Sequence, residues 1–237
     1  MAGKVRAPRD NKLKDRAPLR RYLDLAKYID LLRTSSLYFC RADRFSDKFE
    51  GVFTSGIRKK INEEHTQGSR IESADNIYQR SRMGTFVNCW TFGKTDNMAL
   101  WQLYGGASNS VAINTTFQRL DDICRSWDKK IQIEKVRYID HFENPNMTIE
   151  TYTDSLKYKH KAYEFEREIR IMLPQQDNWE SNPEGMLRKV LDLNSLVTSV
   201  VVAPEAGSWF YELVQDVTNR YGLKAEVRMS KLAALPE

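Results

Sequence analysis

The 237-residue sequence has few cysteines: Cys40, Cys89 and Cys124, none of them in a CxxC pair. Thiols scattered in this way provide neither a disulfide framework nor a thiolate metal site, and they suit reduced side chains in a cytoplasmic protein. Histidine is equally scarce. His65, His141 and His160 lie far apart and no HExxH pattern joins any two of them, so no metal site is expected. No run of about eighteen apolar residues occurs, and the N-terminus lacks the apolar centre of a signal peptide, so no membrane span or exported leader is expected. GxxxxGK[ST], GxGxxG and GxSxG are missing too. Their absence excludes the phosphate-cradling loop of P-loop nucleotidases, the dinucleotide fingerprint and the nucleophile elbow. There is no internal repeat and no low-complexity segment.

With 41% hydrophobic residues the chain can bury one sizeable core. Its net charge of +5 is concentrated at one end, where residues 1–21 carry eight Lys or Arg against Asp10 and Asp15. The remainder is close to neutral. The expected organisation is a basic, disordered tail over residues 1–18, followed by a single folded domain over 19–237 with a polar insertion at about 57–83. The tail suits either solvation or contact with a nucleic-acid or protein partner.

Local patterns place the elements. Asp24 caps a helix with an apolar stripe of Leu25, Tyr28, Ile29 and Leu32. "SLYFCRA", "TFVNCWTF" and "SVAINTT" read as strands, and Thr95 or Asp96 is expected to cap the short helix "NMALWQLY" ahead of Gly105 and Gly106. "IQIEKVRYI" reads as one further strand. Near the C-terminus, "LVTSVVVA", a helix capped by Ser208 with a stripe of Phe210, Leu213, Val217 and Tyr221, and "AEVRM" form a strand-helix-strand unit of the length a parallel crossover requires. The predicted class is α+β, a mixed sheet with helices packed on it.

Three constellations carry potential chemistry. In "YEFEREIRIML" the residues Glu164, Glu166, Glu168 and Arg170 recur at every second position, which places them on one strand face roughly 7 Å apart in succession. The same stretch also carries helical spacing back through Phe165, Ala162 and Tyr158, so a helix handing over to a strand near Glu166 is expected. On an open face the charges form a solvated ion pair; in a cleft two carboxylates raise each other's pKa while an arginine lowers it, which poises one for proton transfer or for stabilising a sugar cation. Next, Asn97, Trp101 and Tyr104 share one helical face and suit either core packing or a pocket wall. Finally, "DRFSDKFEG" offers Asp47 and Glu50 between Phe45 and Phe49, with Arg170 or the Arg20–Arg21 pair as counter-charges.

Together these stretches resemble the bacterial domain-of-unknown-function family 2971, from about Leu19 to Leu232. The shared features are the early aromatic strand followed by Asp47, Phe49 and Glu50; Leu100 and Trp101 with Tyr104; the "VAI" strand; Val136 with Tyr138; and a helix led by Lys159 that runs into Glu166, Glu168 and Arg170. Where that family commonly has Trp before the acidic pair, this chain has Tyr163. A weaker resemblance is to the ADP-ribosyltransferase superfamily, whose enzymes hold NAD with an early-strand Arg or His and set a late-strand Glu against the ribose. That resemblance implies Glu166, Glu168 and Arg170 as catalytic residues. It implies Arg20 or Arg21, Tyr22 and Tyr104 as substrate contacts, with NAD as substrate rather than resident cofactor; Asp47, Glu50 and Trp101 join them as candidate contacts from the constellations above. "VNCWT" replaces the Ser-Thr-Ser of that superfamily. The implied function is a toxin-like bacterial enzyme acting on a nucleotide, in a setting such as phage defence. The alternatives are a non-enzymatic module that binds nucleic acid or protein, and a nucleotide sensor.

Overall fold

The structure, a computed structural model, describes residues 14–127 and 130–234. In chain order the first elements are β1 (Pro18–Asp24), α1 (Leu25–Thr34), β2 (Ser36–Arg41), α2 (Ser55–Thr66), α3 (Ala74–Met83) and β3 (Thr85–Phe92). There follow α4 (Met98–Tyr104), β4 (Ser110–Thr116), α5 (Phe117–Ser126), β5 (Gln132–Lys135), β6 (Arg137–Ile139), β7 (Tyr158–His160) and β8 (Glu168–Pro174). The last are β9 (Gly185–Lys189), α6 (Leu193–Leu196), β10 (Ser199–Val202), α7 (Ser208–Arg220) and β11 (Glu226–Met229). Within the stretch that the sequence assigns to one domain, two compact units are distinguished. Their described residues are 14–35, 91–127 and 190–234 for the first, and 36–90 and 130–189 for the second.

In the first unit the strand order is β11-β10-β4-β1, with Thr91 and Phe92 at the end of β3 lying beside β1. β1 runs antiparallel to β4 from the Pro18–Thr116 pair to the Asp24–Ser110 pair. β10 is antiparallel to β4 and parallel to β11, so the sheet is mixed, and α7 makes the crossover that the sequence predicts. Val200, Val201 and Val202 are all fully buried. A β-branched run of that kind suits a strand covered on both faces. Tyr22, Leu100, Trp101, Ala112, Val201 and Ala203 form one core cluster. Asp24 caps α1 as expected, accepting a hydrogen bond from the Lys27 N–H at 2.7 Å. α4 stops where Gly106 turns the backbone to φ +82°, and a side chain on Gly105 would come within 2.4 Å of Ser110 Cβ.

In the second unit β2 pairs antiparallel with β3 and with β9, while β8 sits between β3 and β5. β6 and β7 make a separate parallel pair with Tyr138 opposite Lys159. The stretch expected to be a polar insertion lies within α2 and α3, which a turn around Gly68 separates. It has a core of its own in Phe53, Ile61, Ala74 and Ile77. The observed class is α+β, with a mixed sheet and packed helices.

Several local readings are corrected. Asp15 and Ala17 are ordered, because their carbonyls accept from Gln118 and Phe117 at the start of α5, and Ala17 is buried. The tail expected through residue 18 therefore ends earlier, and its residues 1–13 lie outside the described residues. "IQIEKVRYI" divides at Val136 into β5 and β6, which pair with different strands. The cap of α4 is Asn97, which accepts from the Ala99 N–H at 2.9 Å; Asp96 instead meets Arg20. Gly207 takes the cap position of α7, and the buried stripe of that helix is Phe210, Val214 and Thr218, with Leu213 and Tyr221 exposed. Lys159 belongs to β7, a strand, rather than leading a helix.

Candidate active site

The second unit brings together the acidic stretch and Glu50. The chain leaves β7, makes a 3-10 turn over Lys161–Glu166, and enters β8 at Glu168. Arg167 between them adopts a left-handed conformation at φ +48°, which interrupts the strict alternation read from the sequence. Glu166 and Glu168 consequently converge on one ammonium. Lys159 Nζ lies 2.5 Å from Glu166 Oε2 and 3.6 Å from Glu168 Oε1. Its charge also sits 4.7 Å from the centre of the Tyr163 ring, within cation–π range. Tyr163 thus supplies an aromatic contact to this cluster.

Glu168 and Arg170 share a face of β8, two residues apart, as strand geometry requires. Arg170 donates to Glu168 Oε2 from Nε at 2.9 Å and from Nη2 at 2.6 Å. On its other side it forks onto Glu50, with Nη2 donating to Oε2 at 3.0 Å and Nη1 donating to Oε1. A second donation from Nη1, to the Leu156 carbonyl at 2.7 Å, engages the fifth guanidinium N–H. Tyr138 Oη accepts from the Glu168 N–H at 2.8 Å and holds the entry to β8 against β6. None of Glu50, Lys159, Glu166, Glu168 and Arg170 is more than 5% exposed. Because Glu168 and Arg170 are buried on β8, their shared face is interior, and a solvated strand face is excluded.

The electrostatics follow from a count. Three carboxyl groups, Glu50, Glu166 and Glu168, gather around two cations, Lys159 and Arg170, so the acidic side chains share these counter-charges. Burial raises the pKa of Glu168, but Arg170 and Lys159 outweigh it and hold the group below the usual carboxylate range. Glu50 moves the other way: burial pushes it up, the Glu168 charge adds to the rise, and Arg170 offsets only part of it. Two carboxyls on one guanidinium are thus driven apart. Beside them the Cys89 thiol is pushed well above its ordinary value by burial and by the Glu168 charge.

Asp47 does not pair with Arg170. Its Oδ1 accepts from the Phe49 N–H at 2.9 Å, and its buried Oδ2 has no hydrogen-bond partner among the described residues. The first unit holds the other expected contacts. Arg20, on β1, donates from Nη1 to Asp96 at 2.7 Å, from Nε to Asn114 at 2.8 Å and from Nη2 to the Lys94 carbonyl at 3.4 Å. Arg21 is half-buried on the same strand. Trp101 is fully buried and meets Tyr22 edge-on, with ring centres 4.8 Å apart, while Tyr104 is exposed. Tyr22 Oη accepts from the Asn97 N–H at 3.0 Å. Sequence reasoning missed Lys159 and Tyr138 as members of the acidic cluster. Their opposed positions on β6 and β7 are a long-range pairing that local patterns do not carry.

Among the described residues no group of three or more His, Cys, Asp or Glu could hold a metal ion, and no helix is long and apolar enough to cross a membrane. No curated protein matches the chain. Among solved structures, a DarT of Thermus sp. 2.9 in complex with ADP-ribosylated ssDNA is similar over 94% of this chain and 98% of that one, at 10% identity and a TM-score of 0.44. The family described as "Protein of unknown function (DUF2971)" matches residues 100–171, a stretch that includes Trp101, Lys159, Glu166, Glu168 and Arg170.

Proposed function

We propose that the chain is a toxin-like enzyme of the ADP-ribosyltransferase kind, acting on a nucleotide such as NAD in bacterial defence. The observation that carries this reading is the pair of buried carboxyls on Arg170, with Glu168 held below the usual carboxylate range and Glu50 pushed above it. Environments that push neighbouring acids in opposite directions separate their chemical roles. In the proposed reaction the bond from ribose C1′ to the nicotinamide nitrogen breaks, and its electron pair leaves with nicotinamide. Positive charge then develops on the sugar. An acceptor oxygen or nitrogen, or water, adds at C1′ and releases its proton to solvent. Glu168, with Glu166 beside it, offers fixed negative charge to that developing cation, and Arg170 orients the carboxylate. A phosphate-gripping role for Arg20 or Arg21, and substrate contacts by Tyr22, Asp47, Glu50, Trp101 and Tyr104, are separate parts of the proposal.

A second reading has its own support. All five N–H donors of Arg170 are engaged internally, in a cluster that water barely reaches. That suits a non-enzymatic module whose acidic strand serves stability while the basic N-terminal residues bind a nucleic-acid or protein partner. Incubation with NAD and separation of the products distinguishes the two. The enzymatic reading expects nicotinamide release by the wild type and its loss in the Glu166→Gln, Glu168→Gln double variant. Identical behaviour of the two proteins, with no nicotinamide released, would leave the module.

A further inference from the structure

Apart from the Arg170 cluster, the second unit buries a group of polar atoms that have no side-chain hydrogen-bond partners among the described residues. His141 is 7% exposed; its ring has the Val52 backbone beside it and no side-chain hydrogen-bond partner among the described residues. Asp47 Oδ2 and His160 Nε2 are buried and make no hydrogen bond to a described residue, with His160 Nε2 lying 3.9 Å from Asp140 Oδ1. Three such side chains fall in one neighbourhood. The His141 and His160 rings stack, with centres 5.8 Å apart and planes within 11°. Phe49 leans on both, at 5.5 Å and 4.9 Å, and the exposed Phe142 closes edge-on against Phe49 and His160. A buried polar group that makes no hydrogen bond costs the fold free energy, so this concentration calls for a cause.

Charge supplies one. The groups acting on His141 are His160 from β7, Asp140 from its own turn, and Asp47 from the loop after β2. Lys161 and Glu143 act mainly on Asp140, with Lys161 Nζ 2.8 Å from its Oδ2 and 3.6 Å from Glu143 Oε1; Lys48, beside Asp47, is exposed. Burial and the neighbouring His160 hold His141 neutral, while Asp47, Asp140 and the nearby Val52 backbone favour its proton. Stacked imidazoles repel when both are charged, so charge on one ring disfavours charge on the other. A neutral imidazole offers one donor and one acceptor, whereas the protonated ring offers two donors, and the bare carboxylate oxygen of Asp47 is an acceptor without a donor.

We propose that His141, His160 and Asp47 form a proton-binding switch, in which uptake of one proton from solvent by His141 on mild acidification pairs the ring with Asp47 Oδ2 and reseats the loop from Asp47 to Glu50. That loop is tied together locally. The Asp47 carbonyl accepts from the Glu50 N–H at 3.2 Å, its Oδ1 accepts from the Phe49 N–H, and Glu50 forks onto Arg170. Turning the Asp47 carboxylate toward His141 releases the Phe49 N–H and shifts Glu50 against the guanidinium. Proton uptake at the imidazoles is thereby felt in the Arg170 cluster. This inference is independent of the NAD reading, because a non-enzymatic chain would show it equally.

The test is a titration of the full chain followed by NMR, reading the His141 and His160 ring protons and the Arg170 Nε–H between about pH 5 and 8. His141 is expected to titrate below the ordinary histidine value, with the Arg170 resonance moving at the same midpoint. Asp47→Asn is expected to lower the His141 midpoint by about half a unit or more and to abolish the Arg170 response. Asp47→Glu restores part of it, and His160→Gln raises the His141 midpoint by removing the competing ring. A His141 midpoint unmoved by Asp47→Asn overturns the switch, and so does an Arg170 resonance that ignores the His141 titration. Should Asp47→Asn fail to fold, the wild-type comparison of the two midpoints decides by itself.

Discussion

Arg20 and Arg170 are both buried arginines on strands, one in each unit, and they are balanced differently. Arg20 meets one carboxylate, Asp96, and otherwise neutral acceptors in Asn114 and the Lys94 carbonyl. Asp96 in turn accepts from Ser230 Oγ at 2.5 Å. One charge faces one charge, and the pair ties the segment after β3 to β1. Arg170 forks between two carboxyls while Lys159 draws in a third, so several charges share an interior that water barely enters. A fold that needed only a tie could use the first arrangement. Gathering three carboxyls in the second carries a larger desolvation cost than the single pair of the first.

Removing each arginine sharpens the contrast. Arg170→Met leaves Glu50 and Glu168 buried without their main counter-charge, and a loss of about 3–5 kcal/mol in a urea unfolding series is expected. Replacing Glu50, Glu168 and Arg170 together by apolar residues of similar volume is expected to recover most of that loss. The smaller effect is expected for Arg20→Met, about 3 kcal/mol, because Asp96 retains Ser230 as a donor and only one carboxylate is stranded. If Arg20→Met proved the more damaging of the two, the difference in balance would have no energetic meaning. Smallest is Asp24→Ala, a loss of about 1 kcal/mol for the α1 cap that should be insensitive to either arginine variant. The exposed Asp24–Lys27 pair adds little to that figure.

How far this site was legible in the sequence depends on the range of the interactions. Every-second spacing correctly placed Glu168 and Arg170 on one face of β8, because strand alternation is a local property. The same spacing misplaced Glu166, since Arg167 turns left-handed and a non-glycine residue gives no local sign of doing so. Asp96 and Asn97 are both good cap residues, and only the arrival of Arg20 from β1, 76 positions away, decides which one caps α4. Asp47 and Glu50 were both expected to need a counter-charge. Local pattern could not tell that Arg170 takes Glu50 and leaves the outer oxygen of Asp47 bare. The fold class and the C-terminal crossover were readable because they follow from short stretches of hydrophobic period and turn chemistry. The carboxyl count around Arg170 was not, since it assembles from β7, β8 and the loop after β2.

The central claim is that two carboxyls bound to one guanidinium are split in acidity, and carbon-13 NMR of the glutamate side chains during a pH titration of the folded chain reads that directly. Glu168 is expected to titrate below the ordinary carboxylate range, so its contribution to stability is present above that range and is lost as the pH falls through its depressed value. Glu50 is expected above the range, with its contribution complete at low pH and lost as the pH rises through its elevated value. Resonances of Glu50 and Glu168 that titrate together in the ordinary range would contradict the account.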